Sequence, residues 1–167
     1  MKEELKLYIK QNMEKHFSLP KFKINKVFYD EDMLEDYYEK SSSSSIKDYI
    51  NNNNNLNKFQ NMLFKLIDDR NLKDSDVYNK VHIDRRLFSK IRSDEDYHPS
   101  KDTIILLGLS LELSEQEIVE LLDSASYSLP KNNYFDLIIR FCFINKIYKL
   151  DDVNNLLSDY NCKLFNY

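Results

Sequence analysis

The sequence predicts an all-α fold. The chain of 167 residues holds one Gly and three Pro, too few turn formers for a sheet protein. Apolar residues recur at i, i+3, i+4 and i+7 over several stretches, the spacing of one helix face. Ser or Asp stands just before several of these stretches, where a helix needs an acceptor for its free amides. Hydrophobic residues at 42% and charged residues at 31% supply both a core and a solvated surface.

The first element covers residues 3–17. Leu5, Ile9 and Met13 fall four apart with Tyr8 and Phe17 alongside, an amphipathic helix that Pro20 stops. Phe22 and Ile24 then alternate with lysines, and Val27 and Phe28 follow; this reads as a short strand or an extended docking segment. An acidic stretch, residues 30–39, precedes a run of five serines, 41–45, and a run of five asparagines, 51–55. Residues 46–50 read as a single helical turn between the runs. Such runs bury no apolar area to offset the entropy of ordering, so they mark a linker. The chain thus divides into an N-terminal helix with an extended acidic segment (1–40), a linker (41–55), a compact domain (56–130) and a C-terminal helical pair packed on it (131–167).

From residue 56 the periodicity sharpens. Phe59, Met62, Leu63, Leu66 and Ile67 form one apolar face, and Asn71 and Leu72 end that helix. Asp74 or Ser75 caps the next helix, which is short, carries Val77 and Val81 inward and stops at His82 and Ile83. Asp84 caps a third, with Leu87, Phe88 and Ile91 inward. After a polar loop, Ser100 caps a helix over 101–111 that is apolar nearly all round, which predicts a central position. Ser114 with Glu117 matches a capping box, opening a helix with Ile118, Val119, Leu121 and Leu122. Beyond Pro130 two more helices follow, 134–144 and 151–160. The first is apolar enough to require burial, on the preceding domain or against a second copy. Leu66, Ile83, Phe88, Ile91 and Leu107 are the expected core.

Several function classes are excluded by what the chain lacks. His16, His82 and His98 are scattered without metal-ligand spacing. A glycine-rich phosphate loop needs more than Gly108, which sits in a predicted helix and there permits close packing. Pairs such as Asp68-Asp69 and Asp151-Asp152 read as helix-end residues. No enzyme, metal or cofactor is expected. Cys142 and Cys162 make no disulfide framework and read as apolar-like thiols in a reducing compartment. No apolar run approaches the ~20 residues of a membrane span, and residues 1–10 are too charged for a secretory signal. A cytoplasmic protein is expected. A net charge of −4 argues against broad, nonspecific nucleic-acid binding.

The order of short helices, with a tight turn between the second and third, resembles the phage-repressor (Cro-like) helix-turn-helix family. The residues that carry the likeness run from 59 to 129. The first helix ends in Asp68-Asp69-Arg70-Asn71-Leu72-Lys73. The second is 75–81, the turn is His82-Ile83-Asp84, the third is 85–93, and His98-Pro99-Ser100-Lys101 opens the fourth. Over 46–165 the chain also resembles the C-terminal region of certain bacterial macro-domain proteins, through residues 83–93 and 98–101. Residues 1–45 are too short for a macro domain, so ADP-ribose chemistry is not carried over. The chain departs from the family pattern at Tyr78, where a small residue is usual, and at His82, where Gly is usual.

The resemblance implies a λ-repressor-like five-helix domain with two extra C-terminal helices and an N-terminal helical extension, serving a bacterial DNA-binding transcriptional regulator. The third helix then enters a major groove, where Arg85, Arg86, Ser89 and Lys90 meet base edges. Lys80, Arg92 and Lys101 are the phosphate-contacting residues. So few basic groups require a homodimer on spaced half-sites, with helix 134–144 as the natural contact. Against this, Arg86 is also placed to pair with Asp94 or Glu95, and the loop Asp94-Glu95-Asp96 repels phosphate. The alternative is a protein-interaction module that kept the fold and lost the DNA, binding through the same helix or through the tyrosine-rich N-terminal segment.

Overall fold

The computed structural model describes residues 1–17, 58–94 and 96–166. These residues hold eight helices and no strand. The helices are α1 (Lys2–Phe17), α2 (Lys58–Asp69), α3 (Asp74–Lys80), α4 (Arg85–Ser93), α5 (Lys101–Ser110), α6 (Glu115–Ser124), α7 (Tyr134–Ile144) and α8 (Leu150–Asp159). The segment 22–28, the acidic stretch, the Ser and Asn runs, the turn at 46–50 and the domain start near Leu56 lie outside the described residues.

Helix starts follow the cap chemistry. The Asp84 carboxylate accepts from the Arg86 amide at 2.6 Å, and Ser100 Oγ accepts from the Thr103 amide at 3.2 Å. Ser114 Oγ accepts from the Glu117 amide at 3.3 Å, while the Glu117 carboxylate accepts from the Ser114 amide at 2.7 Å, a closed capping box. α3 differs from expectation. Neither Asp74 nor Ser75 caps it; both lie inside its first turn, and extended Lys73 is the N-cap residue. Asp74 and Asp76 complement the helix dipole from within that turn.

Six of the eight described helices end by one device. Asn71, His82, Glu112, Ser126, Lys146 and Asn161 all adopt left-handed φ, between 52° and 59°. After α3 the Ile83 amide donates to Tyr78 O at 2.9 Å and the His82 amide to Asn79 O at 3.3 Å. The same pair of bonds closes α2, α5, α6, α7 and α8, with Leu72, Leu113, Tyr127, Ile147 and Cys162 as the apolar follower. Glycine is the usual residue at such a position, yet none of the six is glycine.

The chain's one glycine serves packing instead. α5 is central, with Ile104, Ile105, Leu107 and Leu109 fully buried. A Cβ on Gly108 would lie 2.5 Å from Ile118 Cδ1 and 3.2 Å from Phe143 Cζ, so the bare backbone lets α6 and α7 close on α5. α5 packs on α3 and α6, α6 also meets α2 and α7, and α7 carries α8 and α1. Arg70, just past α2, donates to Leu111 O at 3.0 Å and to the Glu117 carboxylate at 2.8 Å, tying α2 to the α5–α6 turn.

Ile83, Phe88, Ile91 and Leu107 are buried as expected. Leu66 is not: it is half-buried, because the inward stripe of α2 is centred on Phe59, Leu63 and Ile67. α7 is covered within the chain. Leu137, Ile138, Ile139, Phe141 and Phe143 are buried, and α1 seals one side through Leu5, Ile9 and the ring of Tyr8, 5.6 Å from that of Phe141. Burial pushes the Cys142 thiol up to about 12, so it is a neutral packing group at physiological pH. Among the described residues no helix is long and apolar enough to cross a membrane.

Candidate nucleic-acid interface

α3 and α4 are joined by Val81, His82, Ile83 and Asp84. Val81 and Ile83 are buried and fix the corner, left-handed His82 turns the backbone, and Asp84 starts α4. Phe88 and Ile91 anchor α4 from below. The Tyr78 ring, half-buried, lies 5.6 Å from that of Phe88, and the Phe64 ring lies 6.4 Å from the Phe88 ring, edge-on. The bulky residue on α3 therefore becomes part of the aromatic wall that supports α4.

That support leaves one edge of α4 in solvent. Arg85, Arg86, Ser89 and Lys90 are all exposed. Helical spacing places them in two adjacent rows, Arg85 with Ser89 and Arg86 with Lys90. Lys90 Nζ stands 4.6 Å over the Tyr97 ring. Among the described residues no carboxylate pairs with Arg85 or Arg86. Asp94, one expected partner of Arg86, instead accepts the Asp96 amide on its side chain at 3.2 Å. Glu95, the other, lies outside the described residues.

The three expected phosphate contacts are placed differently. Lys80 Nζ bonds the Glu112 carboxylate at 2.5 Å. Arg92 bonds Asp74 at 2.5 Å, its guanidinium 4.0 Å from the Phe64 ring centroid. Lys101 bonds Asp136 at 2.5 Å, and the Asp136 side chain is only 5% exposed. Asp136 also accepts from Asn133 Nδ2 at 2.7 Å. Each of these cations thus has an internal anion, and Lys101 has one that water barely reaches. Asp136 on the mostly apolar α7 signals that some cation must meet a buried carboxylate, but nothing in the sequence says which one.

His98 also has a local role. Its Nε2 lies 2.9 Å from Ala125 O and its ring 5.2 Å from that of Tyr127, holding the loop before α5 to the end of α6. Among the described residues no group of His, Cys, Asp and Glu is arranged to hold a metal. Sequence reasoning passed over Lys73 and Ser75, which face Arg85 and Ser89 across a surface cleft of about 400 Å³. Their only sequence signal is proximity to the start of α3. Comparison with family models, curated proteins and solved structures finds no match to this chain.

Proposed function

We propose that this chain is a cytoplasmic, non-enzymatic DNA-binding transcriptional regulator, in which α2 to α6 form a Cro-like, λ-repressor-type helix-turn-helix unit. α7 and α8 are its appended pair and α1 its N-terminal extension. One observation carries the reading: Arg85, Arg86, Ser89 and Lys90 stand together, exposed, on the first two turns of the helix that follows the tight left-handed turn. In a major groove those turns meet base edges, and an unpaired arginine is the best bidentate reader of guanine. Lys80 and Arg92 are exposed enough to exchange their carboxylates for phosphates. Lys101 keeps Asp136 and supports the fold. Because α7 is buried in its own chain, a homodimer on spaced half-sites must use another surface.

Selection of bound fragments from genomic DNA at low salt tests this. Wild-type protein should enrich a defined sequence, and Arg85→Ala or Arg86→Ala should each cost about 1–3 kcal/mol and relax one base position. Absence of enrichment would reject the regulator. The internal ion pairs of Lys80, Arg92 and Lys101 favour a second reading, a protein-interaction module in which the same helix face, or the tyrosine-rich N-terminal segment, binds protein instead of DNA. Early elution from heparin at low salt, together with no DNA enrichment, would select it.

A further inference from the structure

We infer that the cleft between α3 and α4 is a binding site for a small phosphate monoester of about mononucleotide size. The cavity, about 400 Å³, falls within the usual range for small-molecule sites. Lys73, Arg85 and Arg92 line it, and Asp74 is the one carboxylate on its wall. Asp74 is engaged by Arg92, so the lining carries an excess of two positive charges. A phosphate monoester, at roughly −1.5 to −2 near neutral pH, matches that excess; a diester carries half as much.

The polar groups are suitably distributed. Ser75 on α3 and Ser89 on α4 both line the cavity, together with half-buried Tyr78 and the Phe88 ring 5.6 Å from it. Arg92 is held in place by Asp74 and by the Phe64 ring, so its remaining N–H groups are preorganised. Lys73 and Arg85 are exposed and have no carboxylate partner among the described residues. They are the groups that close on the ligand. Arg85 and Ser89 also belong to the base-reading edge. Resting on the regulator reading above, a bound monoester withdraws Arg85 from the groove, so ligand and DNA exclude one another.

Isothermal titration of the full chain with adenosine 5′-monophosphate tests the site. Saturable one-to-one binding is expected, with the diester 3′,5′-cyclic adenosine monophosphate roughly tenfold weaker or more and adenosine silent. Lys73→Ala and Arg85→Ala, both at exposed positions, should each weaken the monophosphate roughly tenfold, while Lys131→Ala should leave it unchanged. Equal affinity for the cyclic diester, for inorganic phosphate or in the Lys73 and Arg85 variants overturns the assignment. Failure of the two readings is separable. No heat from a protein that still enriches DNA removes the cleft site alone; monophosphate binding by a protein that enriches no DNA removes the regulator and the competition, and leaves the site.

Discussion

Arg85 and Lys101 each occupy the first position of a helix, α4 and α5 respectively, and the protein treats them in opposite ways. A cation there faces the positive end of the helix dipole, so something else must favour it. For Lys101 that something is inside the molecule: the nearly buried carboxylate of Asp136 on α7. For Arg85 the described residues supply only the Asp84 cap next to it and an open cleft. The contrast separates cations that hold helices together from cations with no carboxylate partner among the described residues. Charge in the sequence does not make that distinction; burial of the opposing carboxylate does.

The comparison can be broken from the inside first. Phe88 is 2% exposed and carries the α4 edge, so Phe88→Ala should cost about 3–5 kcal/mol in chemical denaturation. A loss below about 1 kcal/mol would mean the edge stands without its aromatic wall. Lys101→Ala comes next. It strands Asp136, and after allowance for the partial exposure of the lysine it should cost about 2–4 kcal/mol. The double replacement Lys101→Met with Asp136→Leu should recover most of that loss. Gly108→Ala forces a methyl against Ile118 and Phe143 and should cost about 1–3 kcal/mol, again read by denaturation.

The outer edge should respond far less. Arg85→Ala and Arg86→Ala touch no buried group and should change stability by under about 0.5 kcal/mol in chemical denaturation. Equal melting temperatures for wild type and the Arg85/Arg86 double variant would confirm that these side chains play no part in the fold. One further effect has the opposite sign. Lys146→Gly relieves a left-handed lysine at an exposed turn and should stabilise by only a few tenths of a kcal/mol in the same denaturation assay.

What could be read from the sequence was local. Ser100, Ser114 with Glu117, and Asp84 announced their helices because a cap and its amide lie within three residues. The exposure of Arg85, Arg86, Ser89 and Lys90 followed from the inward phase of Phe88 and Ile91. Leu66 was misplaced because five apolar residues on α2 are wider than the stripe the core accepts, and pattern alone does not locate its centre. The start of α3 was misread because three polar residues in a row, Lys73, Asp74 and Ser75, can all begin a helix. Lys101 with Asp136 was invisible for a different reason: 35 residues separate the partners, and nothing near Lys101 marks it as internal. The cleft depends on the angle between α3 and α4, which periodicity does not give.

The six left-handed helix ends have a consequence for the denatured ensemble. Glycine at those positions would relax the native turns, but it would also add backbone freedom to the chain before folding, freedom that must then be lost. By using Asn, His, Glu, Ser, Lys and Asn there, the protein accepts local native strain and begins from a stiffer random state. The two effects oppose each other, which is why substituting glycine at any one turn should gain little. It also means that each of these six helix ends is enforced by its two backbone bonds.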